Sequence, residues 1–192
     1  MPVIDHDQRR GEIANAAVRI IAAEGLDAAT VRRIAAEVGC STTVVTHYFS
    51  DKHELLLWTY RSLGAVGYSG REQTVAPDRT DLLAYLMAMT ATTESNLAYW
   101  RAYIAIWDRS LGDSEILAEL RSWTQDVLGR IDGFIRNINP AKKDVRHISK
   151  KLLSMVQGIS VQIIFDPQSW HTDEVKEALA LEIEAIAHEQ RT

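Results

Sequence analysis

Two short apolar-periodic segments that meet at a glycine, between Thr30 and Leu55, constrain this chain more than any other stretch. Thr30 is a good N-cap, because its hydroxyl can accept from a backbone N–H that a helix start leaves without a partner. Val31, Ile34, Ala35 and Val38 then fall at helical spacing on one face. Gly39 follows directly, at the place past a helix end where the left-handed conformation costs a glycine little. Ser41 offers a second N-cap, and Val44, Val45, Tyr48 and Phe49 mark the apolar side of a second helix over about 42–48. Helix, glycine turn, capped helix is the arrangement of a DNA-binding helix-turn-helix, here spanning 30–49.

The flanking sequence reads as helix throughout. A first helix over about 8–24 carries Ile13, Ala16, Ala17, Ile20 and Ile21 as its buried stripe and stops at Gly25, while residues 1–7 read as loose. Ser50 or Asp51 opens a fourth helix over about 52–67, with Leu55, Leu56, Trp58, Thr59 and Leu63 on its apolar side. The run from Gly67 to Arg79, with two glycines and Pro77, reads as a loop. Five further helices are expected at about 78–94, 96–110, 114–137, 142–165 and 172–189, punctuated by Gly112, Asn139-Pro140 and Asp166-Pro167. No run of alternating strands interrupts them. The expected fold is all-α with about nine helices: an N-terminal three-helix head holding the helix-turn-helix (1–66), then a helical body for ligand binding and dimerisation (67–192).

Composition narrows the function. The chain has 192 residues and a formal net charge of −5, so it is not a basic nucleic-acid binder as a whole. A DNA head needs local positive potential rather than a basic total. In the head, Arg9, Arg10, Arg19, Arg32, Arg33 and Lys52 face a larger number of carboxylates, so affinity has to come from placement and from dimerisation. The Arg9-Arg10 start of the first helix reads equally as a phosphate contact and as a solvated helix end. A single cysteine, Cys40, permits no internal disulfide, and no apolar run reaches membrane-span length; a cytoplasmic protein with no membrane contact is expected.

Chemistry finds little support. Gly64, Gly67 and Gly70 superficially form a phosphate loop, but the spacing is wrong and no strand precedes them. The six histidines make no HExxH pair, one cysteine makes no thiolate cluster, and Glu184 with His188 reads as a solvated pair. No nucleophile elbow exists, and Cys40 has no evident base. No enzyme activity, catalytic residue, metal or cofactor is expected. The second helix of the motif instead presents short hydroxyls, Thr42, Thr43 and Thr46, with His47, side chains able to contact base edges or thymine methyls while Ser41 and the helix start face phosphate. The Thr30 hydroxyl can donate to another phosphate. Further on, Trp100, Tyr103 and Trp107 share a helix face, with Trp123 in the next helix. Such a stripe is read either as core or as the wall of a pocket suited to hydrophobic or quaternary ammonium ligands.

The motif residues also carry a family resemblance. Thr30-Val-Arg-Arg-Ile-Ala-Ala-Glu-Val-Gly-Cys-Ser41, followed by His47-Tyr48-Phe49 with Lys52 and Leu55, resembles the TetR family of transcriptional regulators, and its BetI-like branch in particular, over roughly residues 8–65. The resemblance implies that Tyr48 and Lys52 touch phosphate, and that the branch tends to carry aromatics at Tyr103 and Trp107. Many members hold Lys-Gly and a tyrosine where this chain holds Thr42, Thr43 and Thr46, so contacts at those positions do not carry over.

The expectation is a sequence-specific DNA-binding regulator, a repressor released by a small-molecule effector, acting as a homodimer on a double-stranded operator. Leu152, Val156, Ile159 and Ile163 on the eighth helix, with small Gly158 and Ser160, are expected at the dimer interface. The alternative is an all-α ligand-binding protein or enzyme with a vestigial helix-turn-helix. Effector, operator, regulated genes and the sign of regulation are not written in the sequence.

Overall fold

The computed structural model describes residues 6–66 and 79–188. Among these residues there are nine α-helices, one 3-10 turn and no strand: α1 (His6–Glu24), the 3-10 turn (Leu26–Ala28), α2 (Val31–Val38), α3 (Thr42–Tyr48), α4 (Lys52–Val66), α5 (Arg79–Met89), α6 (Glu94–Ser110), α7 (Ser114–Ile138), α8 (Val145–Phe165) and α9 (Thr172–His188). The expected loop over 67–78, the GxxGxxG pattern, residues 1–5 and the His188 side chain lie outside the described residues.

Local chemistry sets most boundaries. Gly25 ends α1 at φ 87°, its N–H donating to the Ile21 carbonyl at 3.0 Å. The Thr30 hydroxyl accepts from the Arg33 N–H at 3.2 Å, and Gly39 closes α2 at φ 71°, ψ 36°. Asp51 rather than Ser50 caps α4, accepting from the Glu54 N–H at 2.8 Å. Two ends differ from expectation. The fifth helix stops at Met89, not 94, because the Thr90 hydroxyl bonds the Met87 carbonyl (2.7 Å) and Asn96 ties down the Ala88 and Thr90 carbonyls (3.1 and 2.8 Å). Short polar side chains there compete with the backbone ladder. The eighth helix starts at Val145, not 142, since the Asn139 carboxamide accepts from the Ala141 N–H (3.2 Å) and holds the chain in a turn.

The chain packs as two compact units. One comprises Met1–Ser69 with Ala98–Arg121, the other Gly70–Leu97 with Ser122–Thr192. In the first, α1 lies against α2 and α4, and α2 against α3. Its core takes Ile13, Ala16, Ala17, Ile20 and Ile21 from α1, Ile34 from α2, Val45 from α3 and Leu55, Leu56 and Leu63 from α4. Each isoleucine, leucine or valine among them contributes about 1.5–3 kcal/mol by leaving water.

In the second unit α5 packs on α8 and α9. Here one expectation is corrected. Leu152, Val156 and Ile163, placed at a dimer interface from sequence, are 1%, 1% and 5% exposed and belong to this unit's own core. The buried positions of α8 recur at Val145, Ser149, Leu152, Val156, Ser160 and Ile163, one stripe directed at its own chain. The Ser160 hydroxyl is likewise occupied, accepting from the Ala91 N–H at 3.2 Å. Of the four expected interface residues only Ile159 is partly exposed. The large apolar side chains that α8 and α9 leave in water are Phe165 and Leu181, at 77% and 60% exposure.

Candidate nucleic-acid interface and aromatic cluster

α3 has seven residues and only two buried anchors at or beside its end, Val45 and Phe49 (0% and 3% exposed). Burying these two turns the other side of the helix outward. Ser41, Thr42, Thr43, Thr46 and His47 are all exposed, Tyr48 is half-buried, and Thr30 and Lys52 are exposed on either flank. Every expected DNA-contact residue is therefore accessible, in one unit. Details differ in use. Ser41 occupies the N-cap position without a side-chain capping bond. Thr46 turns its hydroxyl back to the Thr42 and Thr43 carbonyls, both at 3.2 Å, so the hydroxyl is already engaged within the helix. The Thr30 hydroxyl uses an acceptor lone pair on its cap and keeps its proton to donate. Lys52 Nζ makes one long bond to the Leu26 carbonyl, 3.4 Å. The His47 and Tyr48 rings meet edge to face at 5.2 Å, and the His6 ring lies 4.6 Å from Tyr48.

The head's positive charge is mostly spent internally. Arg9 pairs with Glu12 (2.5 Å), Arg19 with Glu37 (3.3 Å) and Arg33 with Glu24 and Glu37 (2.7 and 3.0 Å). Hydrogen bonds from Arg33 and Arg19 hold the Glu37 carboxyl below its ordinary range. Arg61 pairs with Glu119. Arg10 is no solvated helix end: its Nε and Nη2 donate to the Tyr48 carbonyl at 3.1 and 2.8 Å, and Nη2 also meets Glu54 at 2.8 Å. Among the described head residues, Arg32 and Lys52 are the cations without a carboxylate partner. Sequence reading had not singled out Arg32, and helical spacing alone does not, since Arg19 and Arg61 equally lack a carboxylate three or four residues away and find theirs at Glu37 and Glu119.

At the start of α4, His53 is held between two carboxylates, Nε2 at 2.6 Å from Glu115 and Nδ1 at 3.0 Å from Asp113. The bond to Glu115, then the charges of Asp113 and Glu115, raise its pKa, with partial burial acting against them.

The aromatic series of α6 forms a packed cluster. Tyr103 is 1% exposed and packs near-parallel to two rings, Tyr60 at 6.0 Å and Tyr99 at 5.8 Å, with Trp100 edge-on at 5.2 Å and Trp107 at 5.0 Å. Tyr103 and Trp100, at 1% and 3% exposure, are thus closed to solvent. Burial pushes the Tyr60 hydroxyl pKa up. The Trp107 indole Nε1 is buried without a hydrogen-bond partner among the described residues. Trp123 belongs to the other compact unit.

Comparison with known proteins identifies this architecture. Residues 13–57 match the model for bacterial regulatory proteins of the tetR family, and residues 78–188 match the BetI-type transcriptional repressor C-terminal model. The chain belongs to the TetR family. It is a DNA-binding transcriptional regulator of the BetI-like kind. It is 24% identical over 193 aligned residues to the HTH-type transcriptional regulator PksA of Bacillus subtilis, covering 97% of this chain and 93% of that one. It is 22% identical to the BetI regulator of Vibrio parahaemolyticus, covering 88% and 86%. A transcriptional regulator from Saccharomonospora viridis, solved in complex with choline, shares the fold at a TM-score of 0.81 and 20% identity, over 96% of this chain and all (100%) of that one. TetR regulators bind DNA through the helix-turn-helix, which here is α2–α3. No helix among the described residues is long and apolar enough to cross a membrane.

Proposed function

We propose that this TetR regulator is a cytoplasmic repressor whose homodimer sets two α3 helices in successive major grooves of an operator, and which lets go when a small molecule binds the body. The observation that carries the DNA surface is the exposure of Ser41, Thr42, Thr43, Thr46 and His47 together on a helix anchored by Val45 and Phe49. Thr42, Thr43 and His47 read base edges, and the Thr46 methyl suits a thymine methyl. Thr30, Ser41, Tyr48, Lys52 and Arg32 take phosphates. On this reading 1–66 is the DNA head and 67–192 the effector and dimerisation body.

For the effector, we infer a hydrophobic or quaternary ammonium compound held by the aromatic residues. Choline on the Saccharomonospora viridis protein of the same fold supports the cationic version. Tyr103 and Trp100 back the site rather than face the ligand; Tyr99 and Trp107, the partly exposed rings, offer the contact. A cation on a ring face gains about 0.5–2 kcal/mol. An effector that prefers the released state about a hundredfold supplies about 2.7 kcal/mol of coupling.

The test is fluorescence anisotropy with duplex DNA from beside the protein's own gene. Lys52→Ala should weaken binding to every duplex alike and reduce the salt slope by about one unit. Thr43→Ala and His47→Ala should change which base pairs are preferred, by about 1–3 kcal/mol at the affected position. Unchanged affinity and slope for Lys52→Ala would remove its phosphate role. For the effector, tryptophan fluorescence titration with choline should saturate in the native chain and weaken in Trp107→Phe; no saturable change with choline while a neutral apolar ligand binds would discard the cation and keep the apolar site.

A further inference from the structure

Arg10 stands apart from the other cations of the head in where its charge goes. Its guanidinium reaches 38 residues along the chain to donate two hydrogen bonds to one acceptor, the Tyr48 carbonyl, at 2.8 and 3.1 Å. Tyr48 is the last residue of α3, where a helix end leaves carbonyls without backbone partners and where a cation is favoured. The same guanidinium meets Glu54 Oε1 at 2.8 Å. The second oxygen of Glu54 accepts from the Ser50 N–H at 2.8 Å and the Ser50 hydroxyl at 2.9 Å. Two rings complete the seat: the Arg10 guanidinium carbon lies 5.3 Å from the centroid of Phe49 and 5.1 Å from that of Trp58, which themselves meet edge to face at 6.5 Å.

We propose that Arg10, with Glu54 as its counter-charge, is a positioning residue for operator recognition: it fixes the angle at which α3 leaves the head. The argument is geometric. The fully buried anchors of this seven-residue helix, Val45 and Phe49, lie along one line at its inner side. The Arg10 fork on the Tyr48 carbonyl is an anchor off that line. Thr42, Thr43, Thr46 and His47 move with α3 as one piece, so a small roll displaces every base contact at once. Lysine cannot take the place of arginine here, since a single ammonium lacks the planar fork that reaches a carbonyl and a carboxylate together. Arg10 acts through α3 and does not touch DNA, which separates it from Lys52.

The proposal rests on the DNA-binding reading of α3, and the experiment keeps the two apart, because specific binding by the native chain tests that reading alone. The native dimer, Arg10→Gln, Arg10→Lys and Glu54→Gln are titrated by anisotropy against the operator duplex and an unrelated duplex over a salt series. Helical content is checked by circular dichroism. Arg10→Gln and Arg10→Lys should lose about thirtyfold in operator affinity, the scale of a charge-assisted hydrogen bond, with affinity for the unrelated duplex and the salt slope little changed. Glu54→Gln keeps the shape and the bond to Ser50. It should also lose operator affinity, although removing a carboxylate near DNA would on charge alone strengthen binding. An equal loss on both duplexes with a slope lower by about one would make Arg10 a phosphate contact and overturn the proposal. So would native-like operator affinity in Arg10→Gln, or stronger binding by Glu54→Gln on both duplexes.

Discussion

His53 shows how a single residue can be read in two ways. In sequence it is one of six scattered histidines; in the structure its ring bridges Glu115 and Asp113, carboxylates 62 and 60 positions away along the chain. Both bonds favour the imidazolium, so its pKa in the folded chain is raised. The sign follows. The folded state holds this proton more tightly, so the stabilisation is complete below the unfolded value of about 6.5 and fades as pH rises through the raised folded value. Thermal melts of native chain and His53→Gln at a series of pH values should therefore differ most on the acid side of neutrality and converge in mild alkali. A gap that widens with rising pH would contradict the bridge. Glu54 has the opposite sign: bonds from Ser50, first the backbone N–H and then the hydroxyl, and the charge of Arg10 lower its pKa. Its contribution is present above the ordinary carboxylate value and is lost as acid protonates it.

At the scale of elements, the helix-turn-helix depends on its turn. Gly39 sits at φ 71°, a conformation that a Cβ penalises by about 1–2 kcal/mol, and an added Cβ there meets no atom within 4 Å. Gly39→Ala should thus destabilise through backbone strain alone, lowering the melting temperature by about 2–8 °C. Thr30→Ala should cost about 1 kcal/mol by removing the hydroxyl that caps Arg33 N–H, while Thr30→Ser keeps most of it. A melt of Gly39→Ala equal to that of the native chain would mean the turn has another way to close. These features were legible in advance because a cap and its target lie three residues apart and a C-terminal glycine adjoins its helix. The end of α5 at Met89 was not legible. Its Thr90-Ala-Thr-Thr run is stopped by Asn96, a side chain belonging to the next helix.

At the scale of the molecule, the proposed dimer sets the buried stripe of α8 apart from the apolar side chains that α8 and α9 leave in water. Ile163 is 5% exposed within its own chain, so Ile163→Glu should cost several kcal/mol and unfold the body whatever the oligomeric state. Phe165 and Leu181, at 77% and 60% exposure, are the positions at which a charge should act on association. Sedimentation of the Phe165→Glu, Leu181→Glu double variant should give a monomer that keeps its helical circular dichroism. A stable dimer from that variant would move the interface elsewhere on the body.

What the sequence determined alone was everything set by neighbours: the cap at Thr30, the turn at Gly39, the stripe of α1, and the outward hydroxyls of α3 once Val45 and Phe49 go inward. Helical periodicity is a short-range property, and the 3.6-residue repeat writes it within a few turns. What only the tertiary structure decided was which partner each exposed or apolar group finds. Periodicity says that Leu152, Val156 and Ile163 share a face but not whether that face meets α5 and α9 or a second chain. An arginine count says the head is poor in net positive charge but not that Arg32 and Lys52 keep theirs. It does not show that Arg10, through a carbonyl 38 residues away, turns its charge inward to hold the helix that reads DNA. Such pairings depend on contacts far apart in sequence, which no local pattern encodes.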